Sequence, residues 1–269
     1  MDTRSAQIRH LTAMISFAIC MMAAALAQAQ APHAAQNVTL HVSAASDLQP
    51  MMPLIVAGFE KQTGIHVAVS FGSSSNLAAQ IVNGSPADLF FAADFSFAER
   101  VVAANLTDAP TPTLYAKGML VLWERKDGPF QPLALSALTN PALKSVAIAN
   151  PLTAPYGLAA QVALRRMHME QAVMPHLVKA DSVAQAAEYA DTANTQLAFI
   201  SMSLALSDKL KADGTYIPVP TNQYDEMNQY AVVMRNSAHR TEAHRFLEYV
   251  LSGPIQAQLA QHGLKSKDQ

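Results

Sequence analysis

Two rhythms of apolar residues alternate along this chain. Short apolar runs bounded by Gly, Ser, Asn or Pro predict strands at Val38–Ala44, Ile65–Phe71, Asp88–Ala92, Leu114–Trp123, Ser145–Ile148, Leu197–Ile200 and Gln229–Met234. Between them, apolar positions fall three and four residues apart. Leu48, Met51, Met52, Leu54, Ile55 and Phe59 form such a stripe within Leu48–Gln62, as one face of a helix requires. Further helices are predicted over Asn76–Asn83, Phe95–Ala104, Tyr156–Met169, Ser182–Tyr189, Ser203–Ala212, Thr241–Leu251 and Pro254–Gln261. Asp88–Ala92 has the pattern of a strand buried on both faces. Leu114–Trp123 is long enough to leave one sheet for another. The alternation predicts an α/β fold with mostly parallel sheets flanked by helices.

The first residues depart from this rhythm. Arg4 and Arg9 precede an uncharged apolar run of 16 residues, Leu11–Leu26, and Ala27-Gln28-Ala29 follows it. The run is short for a membrane span and ends in small residues, so residues 1–29 read as a cleavable secretory signal peptide. A lipoprotein leader does not fit, because Ile19 stands before Cys20 and the apolar run continues past it. Cys20 is the one cysteine and leaves with the leader, so no disulfide holds the mature chain together. Cleavage removes Asp2, Arg4 and Arg9 and leaves 240 residues with 16 basic and 19 acidic side chains, net −3. That length supports two moderate domains. No Lys/Arg run or basic stripe points to a nucleic acid.

Candidate chemistry sits where strands give way to helices. Phe71-Gly72-Ser73-Ser74-Ser75-Asn76-Leu77 reads as a strand end, a hydroxyl-rich turn and a helix start. The first N–H groups of a helix lack internal partners, and its dipole favours negative charge there. Such a junction is a candidate anion site. Ser43-Ala44-Ala45-Ser46-Asp47-Leu48 repeats the design, as do Ala149-Asn150-Pro151-Leu152-Thr153-Ala154-Pro155-Tyr156-Gly157 and Val178-Lys179-Ala180-Asp181-Ser182-Val183. Pro155 suits a first helical position, and Asp181 or Ser182 would cap. Two junctions lie in each half of the chain, at strand carboxyl ends, where α/β sheets bind ligands. Only Lys179 brings a cation, so the junctions suit an oxyanion held by neutral donors.

These segments resemble the molybdate-binding proteins of bacterial ABC importers, a branch of the periplasmic substrate-binding proteins. The resemblance rests on Ala44–Leu48, Phe71–Leu77, Gln80–Asp94, Gly118–Trp123, Asn150–Gly157, Asp181–Val183 and Gln229–Val233, in family order. It implies two α/β lobes, 37–117 plus 223–269 and 118–222, joined by two crossovers and closing on one ion. Ser46 and Ser74 match hydroxyl and amide donors of the first lobe; Tyr156 and Val183 match backbone N–H donors of the second. Many relatives carry a tyrosine hydroxyl where this chain has Ser201, which leaves the donor count open. The implied ligand is molybdate or tungstate, with no cofactor and no bare metal cation. The implied partner is an inner-membrane permease, and the implied state is a periplasmic monomer.

An enzyme reading has little support in the residues. Gly72-Ser73-Ser74-Ser75-Asn76 is not a nucleophile elbow, because Asn76 stands where the last glycine belongs. His239 and His244 are five apart, whereas metal pairs on a helix face prefer four, and they read as solvated. Asp88 and Asp94 read as structural. Two alternatives stay open: another tetrahedral oxyanion such as sulfate, or an extracytoplasmic anion sensor.

Overall fold

The computed structural model describes residues 38–268, and the expected leader lies outside them. The first half of the fold begins with β1 (Thr39–Ala45), β2 (His66–Gly72) and β3 (Leu89–Ala92). Helices α1 (Met52–Thr63), α2 (Ser74–Val82) and α3 (Phe95–Ala103) follow these strands in turn. β4 (Thr113–Gly118) and β5 (Leu120–Arg125) come next, then β6 (Val146–Ala149) and α4 (Pro155–Arg166). β7 (Leu177–Ala180), α5 (Val183–Asp191) and β8 (Leu197–Ser201) complete the βα alternation. The chain closes with β9 (Gly214–Pro218), β10 (Met227–Val233), α6 (Arg240–Leu251), α7 (Gly253–Gln261) and β11 (Lys265–Ser266).

The strands form a six-stranded sheet, β11-β4-β10-β3-β1-β2, and a five-stranded sheet, β7-β6-β8-β5-β9. The chain crosses from the first to the second at Met119 and returns between Pro218 and Met227. The expected long strand over Leu114–Trp123 is therefore two strands in two sheets. The α/β class holds, but the sheets are mixed rather than mostly parallel. Strands joined by helices pair in parallel: β1 with β2 and β3, and β6 with β7 and β8. The crossover strands run the other way: β10 is antiparallel to β3 and β4, and β5 to β8 and β9. A chain that leaves a sheet and returns has no βα crossover to force parallel pairing.

The central strands match their composition. β3, β6 and β8 are buried at every residue, as strands covered on both faces must be. Trp123 is fully buried on β5 and its indole N–H donates to Leu210 O at 3.2 Å. Other differences from the sequence reading are local. The predicted helix Ser203–Ala212 is two short helices, Met202–Ala205 and Asp208–Asp213, because the Ser207 hydroxyl caps the second one. β9 and β11 were not expected. Asp94 caps α3 by accepting from Phe97 N–H at 3.1 Å, and Asp88 accepts from His41 N–H at 2.7 Å. His244 is not simply solvated but pairs with Asp108. Among the described residues, no helix is long and apolar enough to cross a membrane.

Candidate functional site

The carboxyl ends of β1, β2 and β3 and the amino ends of α2, α4 and α5 meet in one small cavity of about 10 Å³. Its wall carries Ser46, Asp47, Gly72, Ser73, Ser74, Ala93, Pro155, Tyr156 and Val183. Four of the five expected site residues, Ser46, Ser74, Tyr156 and Val183, are thus brought together and buried. The fifth, Ser201, is fully buried but lies outside this wall. Its hydroxyl accepts from Leu204 N–H at 3.2 Å, capping the short helix that follows β8, and donates to the Ser203 hydroxyl oxygen at 2.9 Å, whose own proton goes to Asp47 O.

Each junction arrives by a different local device. α2 begins at Ser74, two residues earlier than expected, with Ser73 in extended conformation before it. The Ser73 hydroxyl does not cap the helix and has no partner among the described residues. The Ser74 hydroxyl accepts from Ala93 N–H at 3.0 Å, which ties the turn to the end of β3. α4 starts at Pro155, whose missing N–H costs nothing in a first turn. Gly157 lets that turn press on β6: a Cβ there would lie 2.0 Å from Ala149 O. In α5, Ser182 rather than Asp181 is the cap, accepting from Gln185 N–H at 3.2 Å.

Ser74, Tyr156 and Val183 all lie in first helical turns, where N–H groups have no intrahelical acceptor. None of the three N–H groups has a partner among the described residues. Two bonds span the cavity between the sheets' elements. Ala184 N–H donates to the Ser46 hydroxyl at 3.4 Å, and Ser75 N–H donates to Thr153 O at 3.2 Å.

Behind the cavity lies a polar network absent from the sequence reading. Asp47 Oδ2 accepts from the Tyr156 phenol at 3.0 Å and from the Gln229 amide at 2.6 Å. The Tyr115 phenol donates to Gln229 Oε1 at 2.7 Å, and the Ser203 hydroxyl to Asp47 O at 2.7 Å. Burial, reinforced by the Asp47 carboxylate, pushes the Tyr115 and Tyr156 phenols well above their ordinary range, so both stay protonated. Gln229 offered a signal: a polar side chain at a buried position of an apolar strand. Asp47 had a weaker one, an acid in a turn otherwise suited to an anion.

The cavity wall carries no Lys or Arg. It presents hydroxyls and open N–H groups in dry surroundings, which suits a compact anion that needs several donors. A larger cavity of about 370 Å³ sits at the other end of β1, lined by His41, Asp88 and Ser237. It lies away from the carboxyl ends of the parallel strands β1, β2 and β3, where ligands of open α/β sheets bind.

Comparison with known proteins gives the same direction. Residues 40–265 match the model of the bacterial extracellular solute-binding protein family. The chain is 34% identical over 240 residues to the molybdate-binding protein ModA of Azotobacter vinelandii, covering 89% of this chain and 94% of that one. It is 31% identical to ModA of Rhodobacter capsulatus, covering 85% of this chain and 88% of the other. The solved structure of the Azotobacter vinelandii periplasmic molybdate-binding protein superposes with a TM-score of 0.76 at 29% identity, covering 84% of this chain and 98% of that one. The sulfate-binding protein SubI of Mycobacterium tuberculosis superposes with a TM-score of 0.73 at 16% identity over 85% of this chain and 87% of its own, a likeness of fold alone.

Proposed function

The chain belongs to the bacterial extracellular solute-binding protein family, and from that premise we propose that it captures molybdate and hands it to the permease of an ABC importer. The observation that carries this reading is the small cation-free cavity at which the three helix starts converge, in a chain similar to molybdate-binding proteins over most of its length. In this reading Ser46 and Ser74 donate through hydroxyl and N–H groups, and Tyr156 and Val183 through their N–H groups. Ser201 supports the wall from behind. Tungstate, of the same shape and charge, binds as well. The protein works as a periplasmic monomer after loss of residues 1–29, and it performs no chemical step on the ion.

The energetics are consistent with retention of a dianion. A hydrogen bond to a charged acceptor contributes roughly 1.5–3 kcal/mol net. Four or more such bonds offset the ordering and closure costs that binding carries. The lobes, 37–117 plus 223–269 and 118–222, hinge where the chain crosses between sheets. An ion that bonds both sides shifts the population toward the closed form. Calorimetric titration with molybdate, tungstate, sulfate and phosphate tests the assignment. Molybdate and tungstate bind with similar affinity and sulfate far more weakly; sulfate binding as tightly as molybdate removes it.

A further inference from the structure

Asp47 is the one acidic residue on the cavity wall, and it is 0% exposed. Its Oδ2 receives the Tyr156 phenol and the Gln229 amide, both neutral donors. Its Oδ1 has no partner among the described residues. Among the described residues no cation pairs with the carboxyl either. Tyr115 on β4 and Tyr156 on α4 are its titratable neighbours, with Tyr224 nearby, before β10. Of the elements packed against its turn, the helix Met202–Ala205 carries no titratable side chain. α5, the other, carries Glu188, which is exposed, Tyr189, and Asp191, which pairs with Lys209.

An ionised oxygen buried without a donor is costly, and a dianion in the same cavity adds like-charge repulsion. A proton on Oδ1 removes both penalties. It cancels the charge and turns an orphan acceptor into a donor, and the ligand supplies the missing acceptor. Resting on the molybdate reading above, we propose that Asp47 holds the oxyanion as a neutral acid, Oδ1–H donating to a ligand oxygen, so that capture takes up one proton from solvent. The proton bonds to Oδ1, and no bond within the ion changes. Burial already pushes the carboxyl above its ordinary value, with the bonds from Gln229 and Tyr156 and its own backbone N–H pulling the other way. The bound ion pushes it further in the same direction. Asp47 is then the residue that makes affinity depend on pH in a site whose other donors do not titrate near neutrality.

The test is molybdate titration calorimetry in buffers of different ionisation enthalpy, repeated across the neutral and alkaline range. Where free Asp47 is ionised, close to one proton enters per ion, and affinity falls about tenfold per pH unit. Asp47→Asn supplies a permanent amide donor: proton uptake disappears and the affinity profile becomes flat. Infrared difference spectra of the wild type gain a protonated carboxylic C=O band on binding, and this readout needs no variant. Molybdate binding without proton uptake overturns the proposal and leaves the functional reading standing, as does uptake that persists in Asp47→Asn. A protein that binds no molybdate overturns both.

Discussion

The two sides of the cavity are built on different chemistry. The side formed by β1, β2 and α2 presents side-chain oxygens, those of Ser46, Ser73 and Ser74, beside the one open N–H of Ser74. The side formed by α4 and α5 presents main chain, at Tyr156 and Val183, whose side chains are buried in the core. A hydroxyl is lost by changing one residue. An N–H is lost only by moving the helix that carries it. On the proposed reading, the first side is therefore sensitive at its donors, and the second at the residues that seat its helices.

The largest expected effect follows from that difference. Gly157→Ala puts a Cβ 2.0 Å from Ala149 O, and backbone at that distance cannot yield without moving α4. The Tyr156 N–H leaves its place, and the strand behind it is strained. Affinity for molybdate falls on the order of a hundredfold, the equivalent of one or two charge-assisted bonds, and the melting temperature drops with it. If Gly157→Ala binds like wild type in calorimetry, the main-chain side of the comparison is broken.

Ser74→Ala comes next. It removes one proposed donor of roughly 1.5–3 kcal/mol, so affinity falls about tenfold or more. It also leaves Ala93 N–H without its acceptor, so a modest loss of stability accompanies the weaker binding. Ser46→Ala acts similarly, with a smaller structural cost because its bond to Ala184 N–H is long, 3.4 Å. Competition with sulfate sharpens the result: loss of a donor lowers both affinities, whereas a change of cavity shape alters their ratio.

How much of this was legible in the sequence depends on whether a signal was local. The four junctions were readable because serine, proline and glycine punctuate the ends of strands, and their local chemistry survives folding. β9 was not readable. Gly214-Thr215-Tyr216-Ile217-Pro218 looks like a turn, and it is a strand because β5 pairs with it from Val121 to Arg125. The direction of the crossover strands was hidden for the same reason. Tyr156 shows the limit within the site. Its place at the start of a helix identified the N–H, yet its phenol meets Asp47, 109 residues earlier in the chain, and Gln229, 73 residues later. No window along the sequence brings those three together.

Tyr156→Phe tests that hidden role, and its effect falls mainly on stability. The N–H stays, so affinity changes only a few-fold. Asp47 Oδ2 keeps Gln229 but loses the phenol, and a buried acceptor left short of a donor costs about 1–3 kcal/mol. Thermal denaturation without ligand reads this loss directly. A drop in affinity as large as that of Ser74→Ala, with the fold intact, means the second side does contribute a side chain, and the comparison fails there.

Ser201→Ala is the smallest change and the sharpest control. The side chain lies on the second-sheet side, at the end of β8 and one residue before a helix start, the position type that supplies the site's other proposed donors. Its hydroxyl is already engaged by Leu204 N–H and the Ser203 hydroxyl, and it does not reach the cavity wall. Alanine therefore removes a helix cap, which costs about 1 kcal/mol of stability. The Ser203 oxygen loses the Ser201 hydroxyl, while its own proton keeps its bond to Asp47 O. Molybdate affinity stays within about twofold of wild type, under half a kcal/mol, while the melting temperature falls slightly. A tenfold loss of affinity at unchanged melting temperature makes Ser201 a ligand donor and gives the second side a hydroxyl of its own.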